Sequence, residues 1–494
     1  MPTISLPDRP DLGQLRRQAR ELQRAVRAGD TDALAHTREH AAPVDDPPRF
    51  PLAAAQLVIA RHYGHASWPR LVAFVEMLTQ YTRVPDAVPA LDDPASEFLR
   101  RACLRYADDS PDDWKVAREL LATHPEIARS SIHHAAALAD GDGVRAFLAR
   151  DPSLARRAGG PFRWEPLFVL AYSRVDPDVA ESAVLDTARA LLQHGADPNS
   201  GYLWHGLRTP FTVLTGGFGE GELGPVRQPR HPHSLALARV LLDAGADPND
   251  GQALYNRMFE PDDSHLELLF EHGLGRGDGG PWKARLGDDL DSPRAMVQGQ
   301  LAWAVAHGMN ARVELIVEHG GDMFAPLRDG RTASEVAAAE GNRALVAFFE
   351  ARGARSPDLD PVDALIAGAL EGDRETVDAV TAAHAGVVDA ARARRPALLV
   401  WAVAQRRAPG VALLADLGFD VNARGRGDIG SDEPWETPLH RAVANDDREM
   451  VELLLALGAD PDARDERFET TPLGWARYFD NAGLEARLAP ITSD

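Results

Sequence analysis

Cysteine is almost absent from this chain of 494 residues: Cys103 stands alone. A single thiol excludes an internal disulfide and any multi-cysteine zinc or iron–sulfur site. It lies among Phe98, Leu99, Ala102 and Leu104 in a helical pattern, the setting of a small buried hydrophobe. Lysine is nearly as scarce, with Lys115 and Lys283 alone, so arginine carries almost all the positive charge. Together with abundant alanine, this reads as the coding bias of a GC-rich bacterial genome. Long apolar runs are missing too. The longest, residues 396–404, falls far short of the roughly 18 residues that suggest a bilayer span. The opening MPTISLPDRPDLGQ lacks the charged-then-apolar order of a secretory signal, so a soluble, cytoplasmic protein is expected. The net charge of −22 leaves no general positive surface for nucleic acid. It keeps a large surface soluble and weakly favours a basic partner.

What the chain does contain is repetition. At 494 residues it exceeds one compact core. In TPLHRAVANDDREMVELLLALGADPDA (437–463), Thr437 is placed to cap a helix and Pro438 to occupy its first turn. Leu439, Ala442 and Val443 follow at helical spacing, Asp446-Asp447 turns the chain, and a second, leucine-rich helix ends at Gly458. The glycine stop recurs at Gly195, Gly245, Gly273, Gly320, Gly353 and Gly418, with Gly386 filling a gap. Gly320 and Gly353 are 33 residues apart, and wider intervals are expected to hold inserted loops. Helix openers recur at Glu165-Pro-Leu-Phe, Thr209-Pro-Phe-Thr, Arg331-Thr-Ala-Ser and Thr471-Pro-Leu-Gly.

These motifs resemble the ankyrin repeat, whose signature is T-P-L-H-x-A, a leucine-rich helix and G-A-D-x-N. Residues 437–442 match the opener in full; elsewhere Phe168, Thr212, Ser334 or Gly474 stands in the histidine position. The resemblance implies an all-α, ankyrin-type solenoid of about eleven helix pairs with short extended loop fingers, spanning 95–494 and ending in a cap. It also implies a structural role for His440, fixing its own loop. His133-His134 lies at a helix start, where one of the pair would take that place.

The first eighty residues read differently. Leu12, Leu15, Ala19, Leu22 and Val26 predict one amphipathic helix, 52–63 a second and 71–78 a third, giving a three-helix module over 1–80. It resembles a short helical module found ahead of bacterial ankyrin arrays, with no activity attached. Ser67 is expected to cap the helix carrying Trp68, and Trp68 to pack inside. His62 and His65 are three apart with no third ligand evident. Residues 81–94, rich in proline and aspartate, read as a linker.

After the module and the repeats, too little chain remains for a catalytic domain. TGGFGEGELG (215–224) has no strand before it, lacks the P-loop lysine, and reads as a flexible insertion. His231-Pro-His233 lacks a third ligand. No cofactor and no metal are expected, and the protein reads as a non-catalytic scaffold. Its partner, a protein, would be held along the concave face and the inter-repeat loops. Tyr202, Trp204 and His205, Trp282 and Arg285, Trp435, and Phe468 lie on those loops beside charges and are the candidate anchors. The insertions at 173–183 and 216–233 fall within helix pairs and should emerge at the opposite end. The alternative is an enzyme or enzyme subunit with a small-molecule pocket between module and first repeats, with His62, His65 and Arg70 in it. A third possibility is a spacer with uniformly polar loop tips.

Overall fold

The computed structural model describes residues 6–7, 10–327 and 329–493. The chain divides into two compact units, Met1–Val297 and Gln298–Asp494.

The first unit opens with four helices: α1 (Leu12–Arg27), α2 (Thr31–His40), α3 (Leu52–His62) and α4 (Trp68–Tyr81). Side chains of Asp11, Asp30 and Ser67 cap α1, α2 and α4. Leu15 and Ala19 pack on Ile59, Ala60, Leu71 and Val75, with Trp68 partly buried against them. Val26, Ala33, Phe50 and Ala55 form a second small cluster. The three-helix expectation is therefore corrected by α2. Its sequence TDALAHTREH has no apolar stripe, and only Ala33, Thr37 and His40 are buried. Periodicity could not reveal it.

Within 81–94, Thr82–Arg83 forms β1, which pairs in parallel with β2 (Gly201–Trp204). In turn β2 pairs antiparallel with β3 (Pro210–Thr212). Helix pairs then follow, beginning with Pro94–Ala102 and Pro111–Thr123. The first helices Ile132–Ala137, Pro166–Tyr172, Val213–Phe218 and Gly251–Arg257 stack as one row, and the second helices as another. Buried Cys103 lies in the bridge joining residues 102–104 to 172–174, and burial pushes its thiol up to about 12.

The second unit continues the pattern to Pro472–Tyr478 and Ala482–Leu488. Its core runs unbroken from Leu365 through Trp401 and Leu439 to Leu488. Each helix pair buries one apolar face of the next, which is how a repeat without a core of its own becomes stable. Gly386 is not a stop: it caps the start of an additional helix, Val387–Arg394, in the place of a finger.

Two hydrogen-bond devices tie successive repeats together. At the stops, Gly195, Gly245, Gly418 and Gly458 have φ between +79° and +96°, where a side chain would strain the backbone. Four residues after the first three of these stops comes an asparagine. Asn199 accepts from Asp247 N and donates to Gly245 O, both at 2.8 Å. Asn249 accepts from Gly275 N at 2.8 Å and donates to Arg276 O at 3.1 Å. Asn422 repeats the arrangement with Asp460 N and Gly458 O. The G-A-D-P-N motif is thus a clamp onto the following repeat's turn.

The second device is the histidine. His440 Nδ1 meets Thr437 Oγ1 at 2.8 Å, and Nε2 meets Thr470 O in the next loop at 3.0 Å. In an early pair the two jobs are divided. His134 Nδ1 takes the local contact to Ser131 Oγ at 2.8 Å, while His133 Nε2 reaches forward to Arg157 O at 2.9 Å.

The expected flexible insertion is folded. Glu220 is buried against Arg257 and Arg230, and Arg174 donates to Gly216 O at 2.7 Å and Pro229 O at 2.8 Å. Arg174 itself comes from the other within-pair insertion, so the two insertions brace each other.

Candidate partner-binding surface

The aromatic loop residues separate into two groups. In the first unit, β2 carries Tyr202 inward, 2% exposed, between Trp164 and Phe211. Trp282 is 5% exposed; its Nε1 donates to Asn199 O at 3.0 Å and its ring meets Tyr81 at 5.0 Å. Arg285 lies over both Trp282 and Tyr81. Trp204 is partly buried beside His205, whose Nε2 meets the Asp86 carboxylate at 2.7 Å. These residues hold the end of the N-terminal module against the repeats. Tyr202 and Trp282, expected as exposed anchors, are interior residues, because β1 and α4 fold over them. Burying such rings contributes about 1.5–3 kcal/mol each.

That contact also fills the junction where a small-molecule pocket was the alternative. Phe74 lies under the Arg208 guanidinium at 4.6 Å and beside His65 at 4.8 Å. His62 faces His40 instead, and Arg70 is exposed. The three candidates do not converge. A nearby cleft lined by Asn199, Thr212, Asp250 and Trp282 has about 20 Å³ of interior space, enough for about one water.

The second group lies in the second unit, where Phe468 is exposed and Trp435 is partly buried against the unit's core. β4 (Gly425–Arg426) and β5 (Ser431–Glu436) pair as a hairpin finger with Ile429 exposed near its tip. Buried Glu436 accepts from Gly427 N at 2.8 Å and from Arg441 Nε at 3.0 Å, tying the finger to the following helix. The next finger, 463–469, is built on Asp465, itself 2% exposed. Its carboxylate accepts from the amides of Arg467, Phe468 and Thr470 and from Trp475 Nε1. Burial opposes this charge, but the bonds from Phe468, Trp475 and Thr470 outweigh it and hold the carboxyl below its ordinary value. Glu466 N donates to Trp435 O at 2.8 Å, and Arg424 Nε to Arg464 O at 3.1 Å, so the two fingers are stitched together.

On this frame Trp435 lies between two guanidinium groups, Arg426 at 5.3 Å and Arg467 at 5.0 Å. Arg467 also covers the Phe468 ring at 5.6 Å, and Phe468 is 59% exposed. Trp435 and Phe468 are therefore brought together, while Tyr202, Trp204, His205, Trp282 and Arg285 form the other group. Arg426, Arg467 and Asp465 were not legible as contributors. An Asp a few residues before an aromatic in a finger was the available signal.

The ankyrin repeat family model matches residues 435–466, which span Trp435, the Thr437–His440 cap and the Gly458 stop. Residues 435–466 are an ankyrin repeat. The ankyrin repeat domain of Bcl-3, described as a unique member of the IkappaB protein family, is similar at 21% identity. That match covers 39% of this chain and 86% of that one, with a TM-score of 0.25. No curated protein matches the chain.

Proposed function

We propose that the chain is a non-catalytic, cytoplasmic scaffold that binds a protein partner through its last two inter-repeat fingers, at Trp435, Arg467 and Phe468. One observation carries this reading: an exposed aromatic and a guanidinium are held on a frame whose hydrogen bonds are made before any partner arrives. Aromatic and arginine side chains dominate the energetics of protein interfaces. A frame already ordered lowers the cost of binding. The ankyrin repeat, an interaction module, fits this use. Among the described residues no helix is long and apolar enough to cross a membrane. The exposed ring of Phe468 argues against a spacer with uniformly polar tips.

The test compares wild type with Arg467→Ala/Phe468→Ala in affinity capture from the source cells. Both side chains are exposed, so thermal stability should change by no more than about 0.5 kcal/mol. The partner is expected to be lost from the variant while the fold survives. A partner retained at wild-type level would move the site off these fingers.

A further inference from the structure

Helix α2 brings together three imidazoles that neither the repeats nor the fingers use. His36 and His40 are four apart and so lie on one helical face, one turn from each other. His62, the last residue of α3, meets them from the neighbouring helix. Ring centroids are 4.9 Å apart for His36–His40, 4.8 Å for His36–His62 and 5.2 Å for His40–His62, with the planes steeply crossed. One ring nitrogen from each histidine lies within 4.8 Å of the others. We propose that His36, His40 and His62 form a binding site for a divalent transition-metal ion of the zinc type, pinning α2 to α3.

Distances favour this over simple ring packing. With metal–nitrogen bonds of 2.0–2.1 Å in a tetrahedral site, ligand nitrogens stand about 3.3 Å apart. His40 Nε2 and His62 Nδ1 are 3.4 Å apart. His36 has to close the remaining gap, and its half-buried position leaves it room to do so. Among the described residues His36 makes no side-chain hydrogen bond, so recruiting it breaks none. Burial and the neighbouring imidazoles hold His36 and His62 toward the neutral form, the form that ligates metals.

The surroundings fit an open three-nitrogen site. Glu39 Oε2 is 4.0 Å from His40 Nε2, and its side chain is 65% exposed. It can supply the fourth ligand or accept from a metal-bound water. Arg61 is engaged by the His40 carbonyl, to which it donates at 3.0 Å, and Tyr63 packs on His62 at 5.0 Å. Three imidazoles with an oxygen donor suit zinc better than magnesium or calcium, which take oxygen ligands. The benefit to the fold is specific, since α2 buries only three residues and a metal would fasten it.

The full-length chain, stripped with chelator, is titrated with zinc by calorimetry and with cobalt(II) by visible absorption. One equivalent is expected to bind, with the intense visible bands of tetrahedral cobalt and a rise in the unfolding temperature. His36→Ala and His62→Ala, chosen because both side chains are partly exposed, are expected to weaken zinc by at least about 100-fold. Without metal they should unfold as wild type does. Glu39→Gln should retain cobalt binding with a shifted spectrum. Either of two results overturns the site: no saturable one-to-one binding, or equal binding by wild type and the His36→Ala/His62→Ala double variant. The second would mean an adventitious ion on the acidic surface.

Discussion

At the residue scale, His440 shows how a binding-type side chain is spent on structure. It is fully buried and hydrogen-bonded on both nitrogens, and burial lowers it to about 4. An unfolded chain has this imidazole near 6.5, so between 6.5 and about 4 the unfolded state binds more protons. Stability from this group is complete above pH 6.5 and is lost as pH falls through that window, by about 3 kcal/mol at most. His440→Gln should be less stable at pH 7.5 and should show a shallower fall toward pH 4 in denaturant titrations. An unchanged slope would place the acid sensitivity on other buried histidines. The histidine's role was legible from T-P-L-H alone. The burial of Tyr202 and Trp282 was not, because a glycine-rich loop does not reveal which distant element will fold over it.

At the element scale, the unit that matters is the clamp between one helix pair and the next turn. Most glycine stops and helix openers were readable because each obeys a local backbone requirement, positive φ or a capped first turn. Thr209-Pro-Phe-Thr was misplaced, since Pro210–Thr212 is β3 and Thr212 itself caps the helix from Val213. The asparagine's reach into the following repeat is a tertiary contact over tens of residues, which spacing alone does not give. Asn249→Ala removes the acceptor for Gly275 N and the donor to Arg276 O. Its cost should be about 2 kcal/mol, since partners at a mostly buried position are left unmade. Thermal unfolding of the variant checks this, and a loss below about 0.5 kcal/mol would show the clamp to be ornamental. Helix α2 escaped sequence reading for the opposite reason. Its polar composition hides a helix whose buried face is alanine, threonine and histidine.

At the scale of the whole molecule, stability in a repeat chain is shared between neighbours rather than drawn from one core. Each compact unit spends its loop aromatics differently. In the first they hold the N-terminal module in place; in the second Phe468 stays exposed on two stitched fingers while Trp435 packs partly against the core. The repeats and the missing catalytic motifs pointed to a folded scaffold, but spacing did not reveal which loop aromatics would be buried and which exposed. The most direct measurement is site-specific photo-crosslinking in the source cells, with the probe at position 468. A matched probe is placed at Leu207, an exposed position on a finger of the first unit. A protein adduct from position 468 and none from position 207 is the predicted result. Adducts from position 207 alone, or none from either, would contradict a scaffold that binds through its last fingers.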